Sequence, residues 1–515
     1  MKLSTLLTCL LITSLSAQEN WVIDSAKDWK NATAEQENLV IKDGMASPTA
    51  KAATFRSKLQ RFDQKRAAQS LTVDQSPIWQ NWSRTKKVGP PNLGGAPITL
   101  QMAPDNYWMF GSKRNSRKNK PHTPLPAKLE GFDIPLVTTP YSNLFIAPGG
   151  LKNNQGGYHG WQSRDMINWV YHGPVTPPHA NWATTAEMVD GKVYLYYDYP
   201  NDQDPHLIID DNLTDGLPGK DMGMAFLDPS DGSDSAIIRD LDGKFHLIQE
   251  DWSPIDPSTH AWDSPLAMRA TSEDGIKDFK IQSPPVDERT KPTGKFAEYF
   301  HPHWHLSTRK DEFPAKPVPA NIPQHRLKKG DVRSFAKYEI HEPEQNAYGD
   351  WAAISIGGQY YLFCDFDPTT EHGKEGMSVA WFTSSSLGEK FTFCDNIGKG
   401  HPDPDIIFAE GKFYLATQTP QSFISPGPWV NGVEVRVGID TTNDGTINQW
   451  TDWSTVKETY RSIPGFAKQV AKTPAQLDLS KLPAAFGYQF EVKLSDTTEN
   501  KSKPILDKIT LSFSK

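Results

Sequence analysis

The sequence predicts an all-β chain: a five-bladed β-propeller, with an N-terminal helical segment before it and a C-terminal β-sandwich-like region after it. Three observations carry this. First, one hairpin recurs. Asp234 to Pro254 reads DSAIIRDLDGKFHLIQEDWSP, two apolar runs joined by the turn Asp240-Leu241-Asp242-Gly243, which is a β-hairpin signal. The pattern returns at Trp182–Tyr197, Asp350–Cys364 and Asp403–Gln418, and in degenerate form at Ala96–Phe110. Second, Ser163–Val170, Ser272–Lys280 and Ser384–Thr392 each set a Ser, then polar residues, then an aromatic, and are expected to be outer strands closing a four-stranded sheet. Third, one such unit cannot bury its own apolar faces, so repetition implies sheets packed around an axis with an axial pocket. A β-sandwich with unrelated hairpins is the competing reading.

Taken in order, Met1–Ala17 has Lys2, an apolar run over Leu6–Leu15 and small residues at Ser16-Ala17. That is the layout of a secretory signal, which predicts a secreted or periplasmic protein. Residues 18–90 are expected to lie outside the propeller. Within them, Ser47–Ser70 places Phe55, Leu59 and Phe62 at spacings of four and three, which predicts an amphipathic helix. That helix either packs on the propeller or serves as an arm for a homodimer. The propeller is expected over 91–425. Its first blade runs from Gly94 to Val175 with a basic insertion at Lys113–Lys120, its second from Trp182 to Leu227 and its third from Asp234 to Ile281. An insertion over 284–344 follows, too long for a connector. The fourth blade spans Asp350–Asn396 and the fifth starts at His401. Over 426–515, Val433–Ile439, Tyr488–Ser495 and Ile505–Phe513 alternate as sandwich strands do. Asp440, Thr442, Asp444 and Gly445 resemble part of a calcium loop, but no closing Glu follows, so a plain Asp-Gly turn is expected.

Of the 515 residues, 37% are hydrophobic, with 16 Trp and 24 Phe, enough to fill a sizeable core. The net charge of −8, with no long basic run, argues against nucleic acid and anionic membranes as partners. No segment after the leader is apolar for long enough to span a bilayer. Beyond Cys9 in the leader there are two cysteines, Cys364 and Cys394. They are expected on the second and fourth strands of one blade, which are not neighbours, and so as free thiols.

The candidate chemistry sits at the starts of inner strands, which approach the propeller axis. Asp234, Asp350, Asp403 and Asp405 all occupy such positions. Carboxylates that share a pocket split their pKa values, which supplies the acid and base that cleavage of a glycosidic bond requires. Each could equally be a turn carboxylate satisfied by backbone N–H groups. In the insertion, Glu298 precedes His301, His303 and His305. Alternate residues of a strand share a face, so Glu298 and His303 are candidate acid or base groups and His305 a substrate contact; three such His could also bind zinc. Pro302 argues for an edge strand or loop there. Trp161, Trp182, Trp252, Trp304 and Trp351 lie near predicted blade starts or the insertion. Trp182 and Trp351, beside inner strands, are the expected sugar platforms. Arg239, next to Asp240, is either a contact to a sulfate or carboxylate or half of a turn salt bridge.

Several stretches resemble known families. DSAIIRDLDGKFHLI is similar to the third-blade motif of the glycosidases of glycoside hydrolase family 43, and SRDMINWVYHGPV to that family's first-blade outer strand. HPDPDIIFAEGKFYLATQ, with the N-terminal segment, resembles the related family 117, whose members act on marine galactans. The resemblance covers about residues 94–420. It implies a first-blade Asp as general base, a third-blade Asp that orients it, and a fourth-blade acid that protonates the leaving oxygen. Asp234 matches the third-blade position and Asp350 the fourth. The first-blade position falls on Ala96, beside Pro97, so the usual base has to come from elsewhere, with Glu298 and His303 as replacements. The implied protein is an exo-acting, inverting glycoside hydrolase of algal galactan or other cell-wall oligosaccharides. No cofactor is required, and a structural calcium in the axial channel stays open. Ala96 keeps a second reading, a carbohydrate-binding propeller without turnover. A third is a polysaccharide lyase using His and Tyr on a uronate.

Overall fold

The computed structural model describes residues 20–114, 125–152, 155–199, 204–226, 232–251, 263–303, 332–341, 346–368, 376–495 and 502–514, with backbone only for 295–303 and 332–341. Among the described residues there is one α-helix, Ala26–Ala32, whose N-terminus is capped by the Ser25 hydroxyl accepting from the Asp28 N–H. Nearly everything else that is regular is strand. Among the described residues no helix is long and apolar enough to cross a membrane. The predicted signal at Met1–Ala17 lies outside the described residues.

The chain divides into two compact units, one of residues 77–428 with 460–473, the other of 1–76, 429–459 and 474–515. In the larger unit all five predicted hairpins pair as antiparallel strands: Leu93–Ala103 with Asn106–Lys113, Ala183–Val189 with Lys192–Asp198, Ala236–Arg239 with Phe245–Glu250, Asn346–Ile356 with Gln359–Pro368, and Asp405–Ala409 with Lys412–Ala416. Their turns explain why. Asp190-Gly191, Gly357-Gly358 and Glu410-Gly411 all have positive φ at both central residues, the conformation a two-residue hairpin turn needs to match strand twist. Each hairpin opens a sheet of four or more strands.

The Ser-led stretches are corrected by the structure. They are not strands but the turns between the third and fourth strands. Ser163 ends one strand, Asp165 Oδ1 then accepts from the N–H groups of Ile167 and Asn168 at 2.8 and 2.7 Å, and the next strand begins at Trp169. Ser272 and Asp274 repeat the arrangement. Short polar side chains bonding their own backbone favour turns over strands.

The five first strands touch in sequence, and the fifth touches the first, so they close a ring. Apolar layers fill the spaces between successive sheets. Tyr196, Leu207, Ile237 and Leu247 form one between the second and third, and Trp79, Phe363, Phe413 and Leu415 another between the fourth and fifth. The fifth sheet takes its outer strand, Ser83–Lys86, from the N-terminal side of the ring. Residues 83–86 therefore belong to this unit rather than to a helical segment outside it. On the other side of the chain, Gln469–Thr473 runs parallel to Asn346–Ile356. Just before it, the buried Lys468 donates from Nζ to Thr185 Oγ1 and to the Ile237 carbonyl, both at 2.8 Å. Its ammonium also interacts with the buried carboxylates of Asp405 and Glu187. One cation thus ties together first strands of the second, third and fifth sheets. Cys364 and Cys394 are free, on strands of the fourth sheet separated by a third, as expected.

Among the described residues the smaller unit is built from two sheets and the helix Ala26–Ala32. The amphipathic helix expected over 47–70 is absent. Met45–Pro48, Ala52–Ser57, Gln60–Arg66 and Ala68–Gln75 are strands. Ala53, Phe55 and Ser57 are buried in alternation, as are Leu71 and Val73, so the controlling period is two rather than 3.6. The spacing of Phe55, Leu59 and Phe62 spans a break between two strands that continue in one direction along Ala485–Ser495, rather than one helix face. The dimer arm postulated on that helix loses its basis. N- and C-terminal segments expected as separate regions share both sheets: Leu506–Phe513 pairs with Ala68–Gln75, and Ala485–Ser495 with Ala52–Ser57. Asp440 spends both carboxylate oxygens on the N–H groups of Thr442, Asn443 and Gly445, a turn built from its own backbone.

Candidate active site

Where the first strands of the ring begin, a cavity of about 260 Å³ opens. Asp234, Asp350 and Asp403 line it together with Trp182, Trp351, Tyr158, His401, Asn181 and Gln418. The three aspartates come from three different sheets and share a backbone conformation, with φ of 50°, 50° and 41°. Non-glycine residues rarely adopt it, and Asp does so more readily than most because its short side chain bonds locally. Such residues persist where surrounding structure holds them, and the holders are visible. Asp198 Oδ2 accepts from the Asp234 N–H at 2.8 Å, and Asp365 Oδ1 accepts from the Asp403 N–H at 2.9 Å. In both cases the acceptor sits on the preceding sheet's second strand, Asp198 as its last residue and Asp365 three residues before its end. Asp350 follows Gly349, where a Cβ would fall 2.1 Å from Glu250 Oε1 and 2.3 Å from Asp263 Oδ1. Only glycine fits between these carboxyls.

The first sheet departs from this pattern. Its left-handed residue is Gly95, with φ of 70°, followed by Ala96, and both line the cavity. The sequence reading placed the departure at Ala96; either residue leaves this sheet without a carboxylate. A Cβ at Gly95 would meet Ser112 Oγ at 3.4 Å and Tyr158 Oη at 3.9 Å, so hydroxyls occupy this side.

Electrostatics concentrate on Asp403. His401 Nε2 lies 3.1 Å from Asp403 Oδ1, 3.2 Å from Asp365 Oδ2 and 3.7 Å from Asp350 Oδ2. Burial, and then the nearby Asp350 and Asp263, push the Asp403 carboxyl well above the usual range. Asp365 is pushed up by burial and then by Asp403 and Asp350, and Asp263 by burial and then Asp350. Carboxyls this close oppose one another's ionisation, which favours a shared proton within the cluster. The buried Tyr158 is raised by burial and then by Asp403, Asp234, Asp350 and Asp198, which puts its hydroxyl within the field of all four. At the edge, Lys87 donates to the Gln418 carbonyl at 3.3 Å, and burial and Arg114 push its ammonium down to about 8 against the pull of Asp403.

One donor atom each from Asp350, Asp365, His401 and Asp403 falls within 4.8 Å of the others, a spacing that could hold a cation. Calcium takes six to eight oxygen ligands. Here an imidazole nitrogen stands among three carboxylates, within ion-pair reach of each. The donor set therefore fits a shared-proton network better than a calcium cradle, and no step below depends on a metal.

The structure brings together five of the ten predicted site residues: Asp234, Asp350, Asp403, Trp182 and Trp351. Trp182 is 46% exposed, whereas Trp351 is 2% exposed and packs with Tyr348 and Phe382 in the core. Trp182 is thus the ring with a face to offer. Asp405 is separated from the cavity. Its Oδ2 accepts from the Thr99 N–H and hydroxyl at 2.6 and 2.9 Å, and Lys468 compensates its charge. Asp403 lies before the strand Asp405–Ala409, and its left-handed backbone, with φ of 41°, breaks the alternation that would otherwise set residues two apart on one face. Arg239 lies at the far end of its strand from Asp234, stacked over Phe466 at 4.4 Å and donating to the Gly465 carbonyl, so packing occupies it. Glu298 and His303 stand in the strand Pro292–His303, and their side chains, with His305, lie outside the described residues. Sequence reasoning missed His401, Asp365, Asp263 and Tyr158. A signal existed for Asp365: the second runs end in an acid, as in VYLYYD, FHLIQE and YYLFCD.

No family model matches the chain, and no curated protein does. Solved structures to which it is similar include an exo-1,5-α-L-arabinanase from a bovine ruminal metagenomic library, at 12% identity over 65% of this chain and 94% of that one, with a TM-score of 0.35. An endo-arabinase from Bacteroides thetaiotaomicron VPI-5482 matches at 9% identity over 67% and 97%, with a TM-score of 0.36. A family 43 β-xylosidase/α-arabinofuranosidase from a compost microbial metagenome matches at 13% identity over 73% and 98%, with a TM-score of 0.36. At these values the likeness is too distant to assign a role to any residue.

Proposed function

We propose that the ring of five sheets is a five-bladed β-propeller and its axial cavity the active site of an exo-acting, inverting glycoside hydrolase. It is proposed to be exported by its N-terminal signal, and to act on algal galactan or other cell-wall oligosaccharides. One observation carries the reading: Asp234, Asp350 and Asp403, each from a different sheet and each in the same left-handed conformation, line one small cavity with an exposed Trp182. A cavity of about 260 Å³ suits a terminal sugar better than the middle of a chain, which favours exo action. The indole of Trp182 offers an apolar surface to the C–H face of that sugar.

In this reading Asp403, protonated and paired with Asp350, gives its proton to the glycosidic oxygen as the bond from that oxygen to the anomeric carbon breaks. Water adds to the anomeric carbon from the opposite face and loses its proton to Asp234. Separate positions for acid and base with a water between them are what inversion requires. His401, in reach of Asp350, Asp365 and Asp403, returns a proton to the pair. The absence of a carboxylate at Gly95 and Ala96 favours one other reading, binding without turnover.

The test offers agar, porphyran, carrageenan, arabinan and xylan oligosaccharides to the purified protein and separates the products by chromatography. Release of one monosaccharide from the end of one substrate, with the inverted anomer seen first by NMR, is the expected result. Binding of an oligosaccharide with no product from any of them would establish the non-catalytic reading instead.

A further inference from the structure

The smaller unit carries a second cavity, of about 230 Å³, on the outer face of its three central strands. Cross-strand register builds it. Glu491 stands opposite Arg56 on one neighbour and opposite Arg436 on the other. Its Oε1 accepts from Arg56 Nε and its Oε2 from Arg436 Nε, both at 2.5 Å. Burial pushes the Glu491 carboxyl up, but these hydrogen bonds outweigh it and hold the group below its ordinary value, so both of its oxygens are spent. Lys493 lies two residues on, its ammonium 3.8 Å from the centroid of the Trp453 ring, and Arg436 also lies over Trp453, at 4.7 Å. Glu35 pairs with Arg56 at 2.8 Å from the exposed rim. Three cations and two carboxylates line the space, and Trp453 is one wall.

We propose that this cavity is a separate binding site for a saccharide bearing a carboxylate or sulfate. Arg436 and Arg56 keep terminal N–H donors beyond those given to Glu491 and Glu35. Among the described residues no carboxylate lies within ion-pair distance of Lys493; Glu434 faces it in the register without lining the cavity. The fork of a guanidinium matches a planar carboxylate or a sulfate edge. A bare anion would engage the cations and leave the indole unused, whereas an anionic sugar engages both, its ring against Trp453 and its charge on Arg436 and Lys493. The size admits one sugar residue, below the roughly 300–1,000 Å³ of sites that enclose larger ligands. This site does not depend on the glycosidase reading.

The experiment is calorimetric titration of the full chain with oligogalacturonate, with carrageenan oligosaccharides and with neutral xylan oligosaccharides. Lys493→Gln and Trp453→Ala are measured in parallel, with circular dichroism as the check on folding. Binding of the uronate or the sulfated ligand, weakened about tenfold or more by Lys493→Gln or Trp453→Ala, is expected. Which of the two charged ligands binds identifies the anionic group. Two results would overturn the proposal: no binding of either charged ligand, or binding of a charged ligand that neither Lys493→Gln nor Trp453→Ala weakens.

Discussion

Asp403 and Asp405 are two residues apart and do opposite work. Asp403 faces the axial cavity and shares its surroundings with other carboxyls, while Asp405 is fully hydrogen-bonded to Thr99 and compensated by Lys468. Asp403→Asn is therefore expected to lower kcat by about a hundred- to ten-thousand-fold, the range of a lost general acid, without lowering the melting temperature. Asp405→Asn is expected to lower the melting temperature and leave kcat of the folded fraction within about threefold; steady-state kinetics beside calorimetry separates the two. The same cluster predicts a dependence on pH. Asp365 has a folded pKa well above its unfolded value, so between the two values the native state binds the extra proton. Stability is then fully present below about pH 4 and is lost as pH rises toward the folded value. Asp365→Asn removes that loss. Its melting temperature is expected to match the parent near pH 4 and to exceed it at pH 8; an equal or lower value at pH 8 would contradict the assignment.

At the scale of elements, the segment 460–473 matters more than its length suggests. Lys468 brings a buried ammonium to Thr185, the Ile237 carbonyl, Glu187 and Asp405. Removing one partner of a buried charge cluster leaves the others uncompensated, typically at about 3–5 kcal/mol. Lys468→Met is expected to lower the urea midpoint accordingly, a loss that Lys468→Arg restores at most in part because the buried site is shaped for an ammonium. The hairpins were readable in the sequence because apolar runs and Asp-Gly or Gly-Gly turns are both local. The turns at Asp165 and Asp274 were mistaken for strands because a Ser-Asp pair next to an aromatic fits either. The interleaved sheets of the smaller unit were not readable at all. Nothing local to Phe55 indicates that Val492, more than four hundred residues on, is its partner, and the break between strands near Leu59 imitated a helical period.

For the whole molecule, the ring decides which distant residues meet. Asp234 and Asp403 precede their strands and Asp350 sits at the register shift within Asn346–Ile356, and the repeated hairpins of three sheets bring the three to one cavity. His401 and Asp263 were illegible because neither lies in a repeated position; only the packing of the fourth and fifth sheets sets His401 among three carboxylates. Because that network fits shared protons rather than calcium, turnover is expected to persist within about twofold after exhaustive chelation, checked by assay before and after dialysis against EDTA; loss restored by added calcium would reverse this assignment. The most direct measurement of the central claim is release of reducing sugar from the preferred oligosaccharide by the parent, Asp234→Asn and Asp403→Asn, with the dissociation constant of each taken in parallel. The account predicts that both variants bind within a few-fold of the parent and turn over at least a hundredfold more slowly. Turnover that survives in both would place the chemistry outside this cavity.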